Sequence, residues 1–521
     1  MTRLPGSRQN LIRILLVDDD PVWRKLLRSI LKRHLGNAVQ IAVAADYDEA
    51  RAAVFKRSYD LISLDLQLAK SEAMGTYSGR SLLEIIRRES REPDCGLIVL
   101  SGYGTEDIAV ESLRDYRVDD FIKKSRVDIT KPELYVEAVK KALRRSLLHR
   151  AAADVNNRIL LTLSFNKQGL SDGELRAPGR VTRSTKTSPQ RLNVAHLSDV
   201  VDEIGYQILY GRKGAWRSTA RKVGRELYQN FKNLSPIYDL FLIGRELAAR
   251  STNTFHLQFS GPSENVRLPF ELLYDEEYLV FNHIITRGLS EGTRSSERFH
   301  EFIDRLCKKE KPQQNTRHLE VVIVGANMIE TTPRCEDEAE TVATSIKKSL
   351  ELLNIPHNIK LLVGRKDATY RNLDTVLRDG CHIFHFSGHA NYVKSTPEKS
   401  VIYLYDREVS AASMKSLFRN KEVRLAFLSC CLGAYLENRK GRGEFYGFFD
   451  ALSKSGIPAI LGYRWPVNDD SAKLLAEHFY ENLFRNFCPA RSLHLARDHA
   501  ASEIGRDEDI WASAVLLLQN Y

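Results

Sequence analysis

Two groups of residues have types and positions that could carry chemistry. The first is acidic. Asp18 and Asp19 close the apolar run IRILLVDD, Asp65 lies in LISLDLQL, Ser101 ends LIVLSG and Lys124 lies in DDFIKKS. Carboxylates brought to one point repel each other and need a counter-cation, and hard carboxylate oxygens suit Mg²⁺. A lysine can neutralise one further anion there, and a hydroxyl can hydrogen-bond it. Together such groups can form and sense a phosphoryl group on a carboxylate. The second group pairs a histidine with a cysteine: His389 in FHFSGHA and Cys431 in LAFLSCCLG. An imidazole that takes the thiol proton makes a nucleophile of the cysteine. Backbone amides in the adjoining turns could hold a tetrahedral oxyanion.

Both constellations need elements that bring their parts to one edge. From Ile12 to about Leu148 five apolar runs (IRILLVDD, AVQIAVAA, LISLDLQL, GLIVLSG, DDFIKKS) alternate with helical stretches, which predicts a doubly wound parallel sheet. In such a sheet the working groups gather at the carboxyl ends of the strands. The last helix keeps its pattern through KALRRSLLHRAAADV and can leave the first domain as a connector. From Ile159 to about Lys311 the pattern loosens. ILLTLSF reads as a strand, Val200–Leu209 and Arg225–Arg250 as helices, and VRLPFELLYDEEYLVF as a short helix followed by a strand. The acid-free stretch RAPGRVTRSTKTSPQR reads as an exposed loop. From His318 the alternation returns, with HLEVVIVGAN, IKLLVGR, CHIFHFSG, VRLAFLSC and IPAILGYRW as buried strands of a second α/β sheet. In FHFSGHA the Gly-His pair is expected to turn the chain at the strand end. The expected domains are 10–150, 151–315 and 316–521.

Composition sets the frame. The 521 residues are 43% hydrophobic and 28% charged, which excludes a mainly disordered chain. No apolar run is long enough to span a membrane and no apolar segment opens the chain, so a cytoplasmic protein without a secretory signal is expected. The net charge of +10 is small for this length, and nucleic acid is not expected as a partner. The seven cysteines are odd in number and irregular in spacing, which argues against a disulfide framework or a zinc site. Taken singly, several of these residues have plainer readings. A lone cysteine such as Cys431 is often core, Cys430 should face the opposite side of its strand, and His382 and His385 read as structural. Asp469 stands where an aspartate often caps a helix, here SAKLLAEHFYENLF.

The first segment resembles the response-regulator receiver domain, a flavodoxin-like fold. The resemblance implies Asp65 as the phosphorylation site, Asp18, Asp19, Asp65 and the carbonyl of Gln67 as Mg²⁺ ligands, and Ser101, Phe121 and Lys124 as the switch. Ser125 replaces the proline that usually follows the lysine. The loop after Asp65 lacks its usual proline and is longer, with Gly79 fourteen positions beyond the acid. From about Ile159 to Tyr521 the chain resembles the CHAT domain, a bacterial caspase- and separase-like protease. FSGHA, LSCC, ILGYRWPVNDD and RLPFELLYD carry that resemblance, and SCCLG is close to a caspase nucleophile pattern with its histidine upstream.

The second resemblance implies a caspase-like α/β domain with an upstream pseudo-protease-like half. It implies a His389/Cys431 dyad with no cofactor, an oxyanion hole from the amides of Ala390 and Cys431, and Asp469 in a pocket for a basic P1 side chain. Cys430 replaces the usual alanine and Leu432 a polar residue. Jointly the two resemblances imply a cysteine endopeptidase gated by receiver phosphorylation and set in bacterial defence. A sensor histidine kinase or other phosphodonor and a protein substrate would be its partners. A non-catalytic scaffold that binds partners when phosphorylated is the first alternative. A transcriptional regulator is the second, although no recognition helix follows the receiver.

Overall fold

The computed structural model describes residues 11–68, 78–102, 112–127, 131–190, 197–251, 253–290, 297–308, 318–327, 334–391, 393, 397–431, 446–465 and 467–519. Its contacts divide the chain into two units, Met1–Ala151 with Leu350–Ile355, and Ala152–Ser349 with Pro356–Tyr521. Among the described residues no helix is long and apolar enough to cross a membrane.

In the first unit five strands, β1 (Ile12–Val17), β2 (Val39–Ala44), β3 (Leu61–Leu64), β4 (Gly96–Ser101) and β5 (Asp120–Lys123), form a wholly parallel sheet in the order β2-β1-β3-β4-β5. β3 and β4 are buried along their whole length, as expected where helices cover both faces. Helices α1 (Pro21–Leu35), α2 (Tyr47–Lys56), α3 (Ser78–Arg88) and α4 (Glu133–Asn156) complete the described part. Asp20 caps α1, accepting from the Val22 amide at 2.7 Å, with Pro21 in the first turn. Gly79 admits no side chain, because a Cβ there would lie 2.5 Å from the Leu66 backbone. α4 runs unbroken past the Ala151/Ala152 boundary.

Among the described residues the second unit is built on one sheet of 13 strands. In chain order they are β6 (Ile159–Asn166), β7 (Gly169–Ala177), β8 (Val181–Gln190), β9 (Phe255–Gly261), β12 (Ile284–Leu289), β13 (Leu319–Ala326), β14 (His357–Val363), β15 (Ile383–Asn391), β16 (Val401–Tyr403), β17 (Glu408–Ser410), β18 (Leu425–Cys431), β19 (Ala459–Tyr463) and β20 (Ala514–Leu518). A separate two-residue hairpin pairs β10 (Tyr274–Asp275) with β11 (Glu277–Tyr278). The main path is β14-β13-β15-β18-β19-β20-β12-β9-β6-β7-β8. β14, β13, β15, β18 and β19 are mutually parallel, and the antiparallel β19–β20 pair joins them to the upstream strands. Residues on both sides of position 315 therefore share one sheet.

Helices α5 (Leu197–Tyr210), α6 (Trp216–Lys232) and α7 (Ile237–Arg250) pack on the upstream strands. Further helices of this unit are α8 (Phe299–Cys307), α9 (Arg334–Leu352), α10 (Tyr370–Asp379), α11 (Ala411–Phe418), α12 (Tyr446–Ser453), α13 (Asp469–Asn486) and α14 (Pro489–Glu503).

Three local expectations are corrected. The acid-free stretch is not a loop: its residues finish β7, turn at Pro178–Arg180 and form β8 at the sheet edge. Its alternating Thr, Ser, Arg and Lys suit a strand with one solvated face. The LPFELLYDEEYLVF segment contains 3₁₀ turns at Phe270–Leu272 and Leu279–Phe281 around the small hairpin, not a helix and a strand. The chain does not turn at Gly388-His389, because β15 continues to Asn391. Glycine is required at 388 by close approach: a Cβ there would meet the Phe386 ring at 2.6 Å and the Ala326 carbonyl oxygen at 2.8 Å.

Candidate functional sites

In the first unit β1 and β3 are neighbours, and Asp18 and Asp65 follow directly from their carboxyl ends. Here the strand order reverses, which opens a crevice. Asp18 and Asp65 are buried and Asp19 is exposed, and the carboxylates of all three offer oxygens within 4.8 Å of one another. Lys124 reaches both buried acids, its Nζ lying 2.7 Å from Asp18 Oδ2 and 2.6 Å from Asp65 Oδ2. The Asp20 amide donates to Asp18 Oδ1 at 3.0 Å and the Gln67 amide to Asp65 Oδ1 at 3.1 Å.

Burial raises the pKa of both Asp18 and Asp65, against the lowering pull of Lys124. Burial tends to lower that of Lys124, but its bonds to the two acids outweigh it and the net direction is up. Three carboxylates thus face one ammonium, and the surplus negative charge at clustered oxygens fits a hard divalent cation such as Mg²⁺. Ser101 is fully buried at the end of β4, and Phe121 is half-buried on β5. Trp23, which sequence reasoning does not single out, lies with its ring 5.1 Å from Lys124 Nζ.

In the second unit β15 and β18 are adjacent and parallel, and their register sets His389 opposite Cys431. Alternate residues of β15 separate cleanly. Phe384, Phe386 and Ala390 join a large apolar cluster that also takes Cys430 of β18. His385, Ser387 and His389 share the other parity, as Cys431 shares that of Phe427 and Ser429. The side chain of Cys431, and Leu432 after it, lie outside the described residues. Ala390 is in register with Ile402 of β16.

His389 is buried, and its Nε2 lies 3.1 Å from Oδ1 of Asn327, the residue that follows β13. Burial lowers the pKa of the ring while the charge of Asp469 pulls it upward, and the net direction is down, which favours a neutral imidazole. Asp469 is not the helix cap. Asn468 caps α13, accepting from the Asp470 and Ser471 amides at 3.0 and 3.4 Å, and half-buried Asp469 is the first helical residue. Cys335 at the start of α9 is buried and its thiol is pushed up to about 12, by burial first and then by the charges of Glu338 and Asp469. His385 sits wholly inside, 3.3 Å from Glu338 and 3.3 Å from the Tyr480 hydroxyl.

Family models match both units. A CHAT domain model matches residues 221–518, more than half the chain, and a response regulator receiver domain model matches residues 14–134. The chain belongs to the CHAT family and carries a receiver domain. That family points to caspase-like proteases. Two curated relatives, the protein-glutamate methylesterase/protein-glutamine glutaminase 2 of Xanthomonas oryzae pv. oryzae strains MAFF 311018 and KACC10331, are 31% identical over 149 residues, 27% of this chain. The chain spans 39% of the length of these relatives.

Similar solved structures include the CheY-like receiver domain protein of Methanospirillum hungatei, at 26% identity over 26% of this chain and 97% of that one, with a TM-score of 0.22. The receiver domain of NtrX from Brucella abortus matches at 32% identity over 25% of this chain and 97% of its own, with a TM-score of 0.21.

The CHAT motif RLPFELL owes its glutamate to the core. Glu271 is completely buried and paired through both carboxylate oxygens with Arg287, which is also fully buried. Arg497 lies 3.7 Å from the same carboxylate. Nothing local in the sequence announces these partners, which come from β12 and α14. Asn327 does carry a readable signal: it is the polar residue closing the apolar strand VVIVGAN at the carboxyl edge, the same rule that singles out Asp18, Asp65 and His389.

Proposed function

We propose that this CHAT protein is a cysteine endopeptidase gated by phosphorylation of its receiver domain. The observation that carries the reading is the register of two adjacent parallel strands, which sets His389 opposite Cys431 in a chain of this family. His389 takes the thiol proton and Cys431 sulfur attacks the peptide carbonyl carbon. The amides of Ala390 and Cys431 receive the oxyanion. The C–N bond then breaks as His389 passes the proton to the departing amine, and water hydrolyses the thioester. Asp469, half-buried beside the imidazole, favours substrates with a basic P1 side chain.

In the receiver the phosphodonor is a histidine kinase or another phosphoryl source. An Asp65 carboxylate oxygen bonds to the phosphorus as the bond from phosphorus to the donor's leaving group breaks; Asp18, Asp19, Asp65 and the Gln67 carbonyl would hold Mg²⁺, which would supply charge neutralisation. Lys124 and Ser101 bind the phosphoryl oxygens, Phe121 follows the rearrangement, and the change reaches the protease half through α4.

The test is cleavage of a P1-varied fluorogenic peptide library by the full chain and by Cys431→Ala, each with and without Mg²⁺ and beryllofluoride. Cleavage after basic residues, lost in Cys431→Ala and altered by beryllofluoride, is the expected result. Cleavage indifferent to beryllofluoride sinks the gate and keeps the enzyme. Cleavage that survives Cys431→Ala sinks the dyad.

A further inference from the structure

The imidazole of His389 has two nitrogens, and the structure treats them differently. Nε2 lies 3.1 Å from Asn327 Oδ1. Nδ1 is buried and has no hydrogen-bond partner among the described residues. An amide oxygen can only accept, so Nε2 carries the proton and Nδ1 keeps its lone pair.

Asn327 is itself held. It follows β13, which pairs with β15 in register from Val321↔Ile383 to Ala326↔Gly388, so its backbone position beside His389 is fixed by the sheet. Its backbone amide donates to the Tyr405 hydroxyl, and that hydroxyl donates to Glu336 Oε1 near the start of α9. Four residues from four parts of the fold thus form one line of hydrogen bonds ending on the ring.

We propose that Asn327 is the positioning residue of this site: its Oδ1 fixes the His389 tautomer that leaves Nδ1 to take the Cys431 proton, and Tyr405 and Glu336 hold Asn327 in place. The proposal rests on the dyad reading above. A neutral amide suits the task, because it orients the ring without adding charge that would stabilise imidazolium, leaving a base free to accept a proton at neutral pH. The charged group acting on the ring is Asp469.

The experiment follows iodoacetamide alkylation of Cys431 in the full chain between about pH 5 and 9, resolved by mass spectrometry, alongside peptide cleavage. Asn327→Ala should slow alkylation at neutral pH on the order of 10- to 100-fold and lower kcat with little change in KM. Asn327→Asp should restore most of the rate and move the acidic limb to higher pH, since a carboxylate stabilises the imidazolium. Tyr405→Phe should give a smaller loss of the same kind. A wild-type rate and profile in Asn327→Ala, or failure of Asn327→Asp to restore the rate, overturns the positioning role. His389→Ala separates the two readings. If it leaves alkylation unchanged, the dyad falls and this proposal with it. If it slows alkylation while Asn327→Ala does not, the positioning role falls alone.

Discussion

Two buried charge clusters, one in each unit, are mirror images in composition and opposite in consequence. In the receiver, three carboxylates face one lysine, and one of the acids, Asp19, is exposed. In the CHAT unit a single carboxylate, Glu271, faces Arg287 and Arg497, with Arg464 close enough to act on it, and all four are buried. Backbone carbonyls take up part of the surplus positive charge there. Val266 and Leu268 accept from Arg287, Arg267 and Leu268 from Arg464, and Ala514 from Arg497. Asp18 and Asp65 accept from the Asp20 and Gln67 amides and share Lys124, yet burial keeps their pKa values raised. Glu271, fully buried as it is, has its pKa lowered. Burial of charge alone therefore does not mark a candidate site; the receiver cluster differs in a surplus of carboxylates that opens to solvent at Asp19.

The two units should respond oppositely to acid. Burial depresses His283 and His494 to about 4 and takes His256 well below 6.5. These rings stay neutral in the folded CHAT unit while the unfolded chain protonates them near 6.5. Stability is therefore full above that pH and is lost as pH falls towards 4. Each pH unit by which a ring is depressed is worth about 1.4 kcal/mol. Asp509, raised to about 6, works the other way over part of the range. The net loss should be on the order of 5 kcal/mol. In the receiver the sign reverses, because Asp18 and Asp65 bind protons more readily folded than unfolded, and metal-free protein should gain stability as pH falls through their raised values towards 3.8. Urea titrations in EDTA at several pH values, read by hydroxyl-radical footprinting of Tyr135 in the receiver and Trp511 in the CHAT unit, should show opposite slopes. Parallel slopes would refute the contrast.

Substitution sharpens the same point. Glu271→Gln leaves Arg287 and Arg497 without their counter-charge and should cost the CHAT unit about 3–5 kcal/mol. Asp65→Asn removes a desolvated carboxylate from a crowd of like charges and should stabilise the receiver by about 1 kcal/mol. The same footprinting measures both. Equal destabilisation would mean that the two clusters are built alike.

How far the sequence can be read follows the same division between local and distant causes. β1 and β4 of the receiver are legible because each is a largely apolar run closed by a candidate polar residue, as in LLVDD and LIVLSG. β13, β14, β15, β18 and β19 are legible as apolar runs, whereas the three-residue strands β16 and β17 are too short to show a pattern. β8 is not, since proline, serine and arginine suggest a loop until β7 is present to pair with it. The 3₁₀ turns around Phe270 are hidden because their organising partners, Arg287 and Arg497, lie far along the chain. Gly388 has the look of a turn glycine, but its reason is the Ala326 carbonyl of the neighbouring strand. Asn327 escapes notice although it obeys the strand-end rule, because an amide does not announce chemistry as a carboxylate or a thiol does.

The smallest expected effect tests the open arm of the acidic cluster. Asp19 is exposed and takes no part in the Lys124 pairs, so Asp19→Asn should leave receiver stability within about 0.5 kcal/mol of wild type. Its carboxylate is nevertheless within reach of the other two, and charge count sets the affinity of an oxygen site for a divalent cation. Mg²⁺ affinity should therefore fall about tenfold, a change of about 1.4 kcal/mol. Trp23, whose ring lies 5.1 Å from Lys124 Nζ, supplies the readout as a shift in its emission during MgCl₂ titration. An unchanged affinity would place the metal on the buried pair alone. A lost affinity with lost stability would mean that Asp19 belongs to the fold, and the distinction drawn between the open cluster and the sealed one would then rest on Asp18 and Asp65 only.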